Sequence, residues 1–273
     1  MRDDQHGLAH DLQLLRRRQL LRLGAGVGVL TILGCKDHAS QADASTSSTT
    51  TSDATTTADT TTPTGDLTCA IIPEETAGPF PGDGSNGANA LALTGIVRSD
   101  IRSSIAGANG TAQGVLLTVE LIIVDATCTP LADHAVYIWQ CDRDSNYSMY
   151  SAATAEQNYL RGVQVSDSDG KLRFTTIFPG CYPGRWPHLH FEVYPDLEAT
   201  AAASNKLRTS QLALTRAACE LVFATPGYEA SGPNLAEISL ATDGVFADSA
   251  ALQLAELSGS VRDGYTARLT VAV

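Results

Sequence analysis

Short apolar runs, rather than long helical stripes, organise this chain. Residues 116–124 (LLTVELIIV), 135–141 (AVYIWQC), 171–177 (KLRFTTI), 189–195 (LHFEVYP) and 267–273 (ARLTVAV) are rich in β-branched and aromatic residues. They are partly alternating and are separated by clusters of Gly, Pro, Asp and Ser, which predicts strands. Within SDSDGK (166–171), Asp169-Gly170 reads as a hairpin turn. Around TSQLALTRAACELVFAT (209–225) the apolar spacing turns helical and predicts at least one helix. The expected fold is mainly β, a β-sandwich core with long loops and a few short helices, over residues 67–273.

The first 66 residues do not share this pattern. A basic stretch, RRRQLLR, precedes the apolar run LGAGVGVLTILGC, which ends at Cys35. That run is shorter than the ~20 apolar residues a spanning helix requires, and it fits a signal segment. Arg17-Arg18-Gln19-Leu20-Leu21-Arg22 resembles a twin-arginine export signal, and Ile32–Cys35 (ILGC) resembles a lipoprotein box that would lipidate Cys35. Residues 1–35 are therefore read as a twin-arginine-type signal with a lipoprotein box. Residues 36–66, almost wholly Ser, Thr, Ala and Asp, carry too little apolar surface to fold and are read as a disordered tether. The expected location is the periplasm, or the outer membrane or cell surface as a lipoprotein.

Composition narrows the partners. The 273 residues are 43% hydrophobic and 18% charged, with a formal net charge of −12. Nucleic acid is excluded as a partner, because phosphate binding needs clustered Lys and Arg. Five cysteines follow Cys35, at 69, 128, 141, 181 and 219. An exported domain permits disulfides, and the odd count leaves a thiol over. Cys141 and Cys181 lie near the residues singled out below, so a disulfide beside that site is one option, and the sequence does not fix the pairing. Oligomeric state is open.

The chemistry concentrates in PGCYPGRWPHLHFEVY (179–194). Of six histidines, His6, His10 and His38 fall in the signal or tether, leaving His134, His188 and His190 for the folded domain. On a strand, positions i and i+2 share a face roughly 6.5–7 Å apart, so His188 and His190 could converge on one metal ion. A bare His-x-His also occurs as two polar side chains on a wet strand. Copper or zinc with Tyr182 merely nearby, or a structural domain on an anchored stalk, would fit the same letters. The nearest further donors are tyrosines, and a deprotonated phenol is a hard anionic oxygen suited to a trivalent ion such as iron(III).

PGCYPGRWPHLHF resembles the intradiol ring-cleavage dioxygenases, relatives of protocatechuate 3,4-dioxygenase and catechol 1,2-dioxygenase. Their pattern is P-G-x-Y, then an Arg three residues before H-x-H, which marks Tyr182, Arg185, His188 and His190. Their W-x-x-D-x-x-G-x-Y-like stretch is matched by YIWQCDRDSNYSMYS, which marks Tyr147; Ser145-Asn146 stands where the family more often has glycine. IPEETAGPF (72–80) resembles the family's P-E-x-T-x-G-P-[YF] segment, and NYLRGVQVSDSDGKLRFTTIFPG the stretch joining the two tyrosine loops. Gln211, in RTSQLAL, resembles a Thr-x-Gln-like active-site glutamine.

The resemblance implies non-haem iron(III) held by Tyr147, Tyr182, His188 and His190. It implies a small aromatic diol cleaved with O2 between its hydroxyl-bearing carbons to a muconate-type product. Tyr182 would be the ligand that leaves and takes a proton, and Arg185 would steady charge on the substrate. The alternative is a catalytically silent dioxygenase-like sandwich, an aromatic- or surface-binding lipoprotein module. Tyr150 and Trp186 could line the pocket; Tyr137, Trp139 and Phe191 are assigned to core or inter-sheet contacts.

Overall fold

The computed structural model describes residues 68–248 and 250–273, so the expectations for the signal and tether lie outside the described residues. The strands are β1 (Leu116–Val124), β2 (Ala135–Trp139), β3 (Arg161–Val165), β4 (Lys171–Ile177), β5 (His188–Tyr194), β6 (Arg208–Ala213), β7 (Glu256–Ser260) and β8 (Gly264–Ala272). Two helices, α1 (Arg216–Phe223) and α2 (Ser231–Ala236), and several 3-10 turns complete the described residues.

The strands form two four-stranded sheets, in the orders β4-β1-β8-β7 and β3-β2-β5-β6. Every pairing is antiparallel except β1 with β8, which run parallel with Leu117 opposite Tyr265. Alternation decides what each sheet buries. In β1, Leu117, Val119, Leu121 and Ile123 point into the core, where they join Phe174 of β4, Ala267 and Val271 of β8, and Leu189, Phe191 and Val193 of β5. Two sheets sharing one apolar layer make a β-sandwich, as the pattern predicted.

β5 differs from an ordinary sandwich strand because all seven residues are buried. Leu189, Phe191 and Val193 fill the inter-sheet core, so period 2 sends His188, His190, Glu192 and Tyr194 to the opposite face. That outer face is roofed by a second cluster, which includes Ala90, Ile96, Tyr137, Trp139, Tyr147 and Tyr194. The long segment before β1 and the loop after β2 supply most of the roof. The histidines therefore lie in a dry layer outside the main core.

Three local expectations are corrected. Residues 209–225 are strand β6 followed by helix α1, because Thr209–Ala213 pair with β5 before the chain turns helical. Asp169-Gly170 makes a tight turn, with Gly170 at φ 72°, but β3 and β4 belong to different sheets, so the turn is a corner between layers. The disulfide joins Cys69 to Cys128; Cys141, Cys181 and Cys219 are buried free thiols, so no staple ties Cys141 to Cys181.

Candidate metal centre

Two loops and one strand bring four donor atoms together. Tyr147 Oη lies 3.4 Å from Tyr182 Oη and 3.4 Å from His190 Nε2. Tyr182 Oη is 3.3 Å from His188 Nε2, and the two Nε2 atoms are 3.1 Å apart. These contacts close a four-cornered ring of two phenol oxygens and two imidazole nitrogens. Four donors held about 2.1 Å from one first-row ion lie roughly 3.0–3.6 Å apart for angles between 90° and 120°. The ring has the size such an ion demands.

Each corner is fixed from behind. His188 Nδ1 meets the Trp186 carbonyl, so that nitrogen carries the proton and Nε2 keeps its lone pair towards the ring. His190 is oriented by packing instead: its ring stacks on Trp139 at 4.9 Å and 10°, and its Nδ1 is buried without a hydrogen-bond partner. Trp139 is thus more than a core residue, since its partner in register across β2 and β5 is His190. Tyr147 has both backbone groups tied, its N–H donating to Ser151 Oγ and its carbonyl accepting from Thr154 Oγ1. Asp142 Oδ1 accepts the Asp144 and Asn146 N–H groups, which curls the chain just before Tyr147. Ser145 in that curl has φ 68°, the left-handed conformation that favours glycine. The Tyr182 loop is gripped by α2: Cys181 N–H donates to Ser231 Oγ, and Asn234 Nδ2 donates to the Cys181 carbonyl.

The two tyrosine loops also touch each other. Gly180 N–H donates to the Asp142 carbonyl at 3.0 Å. A Cβ on Gly180 would sit 2.6 Å from the Arg143 carbonyl oxygen and 2.7 Å from Ser145 Oγ. Only glycine permits that approach.

Electrostatics follow from burial. Burial pushes the Tyr147 phenol well above its usual pKa, and the neighbouring Tyr182 adds to the shift. Burial holds both imidazoles well below theirs, with His188 further lowered by Arg185, and His190 by His188, Arg185 and Arg161. Burial therefore favours neutral imidazoles and a neutral Tyr147 phenol beside the buried Arg185. Two imidazoles and two phenols that lose protons on binding suit a hard trivalent ion. Among the described residues no cluster of three His, Cys, Asp or Glu could hold a metal, so the tyrosines are indispensable to this donor set.

Arg185 is 4% exposed and lies behind the ring. Its Nε donates to Asp243 Oδ2 at 3.0 Å and its Nη2 to Gln211 Oε1 at 2.6 Å. Burial opposes its charge, but Tyr182, Asp243 and Tyr147 outweigh that and the net shift is upward. Gln211 lies opposite His190 in the β5–β6 register and its Nε2 donates to the Thr76 carbonyl, tying Arg185 to the segment before β1. That segment approaches the ring closely, since a Cβ on Gly78 would lie 3.5 Å from His190 Cε1. Phe80 packs on Tyr147 and Tyr150, with ring centres 5.0 and 5.2 Å apart. Trp186, considered for the pocket wall, belongs to the inter-sheet core and donates its Nε1–H to the Leu214 carbonyl. A cleft of about 720 Å³ bounded by Glu120, Gln164, Lys171 and Arg173 includes none of the four donors.

Sequence reading missed Asp142, Asp243 and the stacking role of Trp139. Asp142 was visible as the acid of W-x-x-D, whereas Asp243 has no local signal, being 58 residues from Arg185.

Comparison with known proteins finds similarity to dioxygenases. A family model described as "Dioxygenase" matches residues 98–198, which include all four donors and Arg185 but neither Gln211 nor Asp243. The chlorocatechol 1,2-dioxygenase of Rhodococcus opacus is 36% identical over 58 residues, 21% of this chain and 23% of that protein. The protocatechuate 3,4-dioxygenase beta chain of Burkholderia cepacia is 30% identical over 99 residues, 32% of this chain and 42% of that one. These matches span less than half the length of either relative. The solved intradiol ring-cleavage dioxygenase from Tetranychus urticae is 25% identical with a TM-score of 0.57, covering 75% of this chain and 94% of that one. In its ring of two tyrosines and two histidines, its two-sheet fold and these matches, the chain is similar to the intradiol ring-cleavage dioxygenases.

Proposed function

We propose that this protein is a non-haem iron(III) dioxygenase that opens a catechol-type ring with O2 to a muconate-type product. The observation that carries this reading is the closed ring of Tyr147, Tyr182, His188 and His190 donor atoms, with neighbours 3.1–3.4 Å apart. Iron(III) bound there would supply Lewis acidity, drawing electron density from a coordinated diolate so that its ring carbon reacts with dioxygen.

The chain's own residues divide the remaining work. His188 and His190 offer neutral nitrogen lone pairs that need no proton removed. Tyr147, fully embedded and tied at both backbone groups, is the permanent anionic donor. Tyr182 is only half-buried, so it is the donor that can swing away and accept a proton from the arriving diol. Arg185 presents a fixed cation where negative charge gathers on the diolate, in a site that excludes bulk water. Gln211 holds that cation against the segment carrying Gly78 and Phe80, which forms an aromatic wall for a flat substrate.

Oxygen uptake by iron-loaded protein across a panel of catechols, with product spectra, tests the reaction. The loaded protein should be red-brown, and Tyr147→Phe should remove most of the visible charge-transfer band and the turnover. Uptake from none of the catechols, with aromatic binding retained, would replace the enzyme reading with a binding module.

We further propose export and lipid anchoring at Cys35. The Cys69–Cys128 disulfide supports it, because such bonds persist in oxidising compartments. Cell fractionation checks it: Cys35→Ser should move the protein from the membrane to the soluble exported fraction.

A further inference from the structure

We propose that Asp243 is a positioning residue that sets Arg185, and thereby the diol, against the donor ring. The inference rests on the proposed function and extends it to a segment beyond the residues the family model matches.

Asp243 is fully buried, and both carboxylate oxygens are used. Oδ2 accepts Arg185 Nε at 3.0 Å and the Trp186 N–H at 2.7 Å. Oδ1 accepts the Val245 and Phe246 N–H groups at 2.7 and 3.1 Å. One side chain thus clamps two segments: the turn that carries Arg185 into β5, and the turn that carries Phe246, whose ring lies 6.2 Å from that of His188. Asp243 hydrogen-bonds none of the four donors, and its one charged partner among the described residues is Arg185, so its effect on the chemistry is assigned to Arg185.

A guanidinium has five N–H donors in a rigid plane. Asp243 takes Nε and Gln211 takes one from Nη2, and two anchors at two different nitrogens fix that plane. The Arg185 charge is felt at the donor ring, with Tyr182 and Tyr147 among the groups that favour it. An arginine paired with a carboxylate alone could pivot about one bond. Held at two points, it meets an incoming diolate without reorganising, which is the condition for effective charge stabilisation. The carboxylate also balances the buried cation before the diol arrives. An asparagine would offer one acceptor oxygen where two are needed and turn an N–H towards existing donors.

The test uses the full iron-loaded protein. Asp243→Asn should keep its iron content and its resting visible band, because no ligand has changed. Anaerobic catechol binding, read from the shift of that band, and kcat/KM should each fall roughly 10–100-fold. Arg185→Gln combined with Asp243→Asn should be no worse than Arg185→Gln alone, within roughly twofold, since Asp243 acts only through Arg185. Loss of iron, a changed resting band, or losses that simply add would assign Asp243 a purely structural role and overturn the proposal.

If Asp243→Asn does not fold, Arg185→Lys keeps the charge and leaves Asp243 in place but cannot reach both anchors. It should show the same loss of diol binding with an intact band, and parental binding would overturn the proposal. A parent that responds to catechol while Asp243→Asn responds equally sinks this inference alone. A parent with no response to any catechol sinks the proposed function, and this inference with it.

Discussion

At Ser145 the backbone adopts φ 68°, a region that costs a side-chain-bearing residue about 1–2 kcal/mol. The conformation is held because Asp142 curls the chain beneath Tyr147, and it is the position where the family more often carries glycine. Ser145→Gly should therefore raise stability by roughly 0.5–1 kcal/mol, the gain from relieved strain less glycine's larger entropy loss. Urea unfolding of the metal-free protein measures it, and an unchanged or lower midpoint would show that Ser145 is not strained. The residue scale is also where the sequence was most informative. His188 and His190 stood out as an i, i+2 pair, but that spacing alone also fits a wet strand face, and it was Tyr182 and Arg185 within a few positions that made the stretch a candidate site. Asp243 and the Trp139 stack were silent because long-range pairing, not spacing, brings them to the site.

Among elements, the decisive contact is between the Tyr147 and Tyr182 loops, closed over Gly180. Gly180→Ala would force a methyl group against the Arg143 carbonyl oxygen 2.6 Å away, a backbone atom that cannot rotate aside. The loops should part, costing roughly 1–3 kcal/mol. The iron content of the purified variant should drop with its unfolding midpoint, because the phenol oxygens would no longer share one centre. Retention of full iron would show that the loops tolerate separation. Element by element, strands with a clear period-2 or continuous apolar pattern were legible: β1, β2, β4, β5 and β8. β7 (ELSGS) was not, since Ser and Gly lack strand character and the strand is half-exposed. β6 was absorbed into the helix beside it, because RTSQLA and RAACELVF abut with too short a break for period to separate them. Its identity as a strand comes from β5.

Over the whole molecule, the Cys69–Cys128 bond ties the segment leading towards the site to the loop after β1, across a sequence separation of 59. Closing so long a loop in the unfolded chain should stabilise the fold by roughly 2–4 kcal/mol. Comparing urea midpoints of parent and Cys128→Ser checks this, and equal midpoints would show that the bond is incidental to stability. Fold class was readable at this scale because many short strands between turns leave few alternatives. Sheet order was not: the Asp169-Gly170 turn looks local, yet its two strands part into different sheets, a choice made by partners far away in sequence.

The parallel pairing of β1 with β8 bears on the order of assembly. β8 sits between β1 and β7, so until residues 264–272 are in place one sheet is split, with an open edge on β1 and no partner for β7. The opposite sheet, which carries both histidines, is complete by residue 213. During synthesis the histidine-bearing layer can therefore form while the layer that backs it still awaits its central strand. β8, far from the four donors, is thus the strand that completes the sheet backing the histidine-bearing layer.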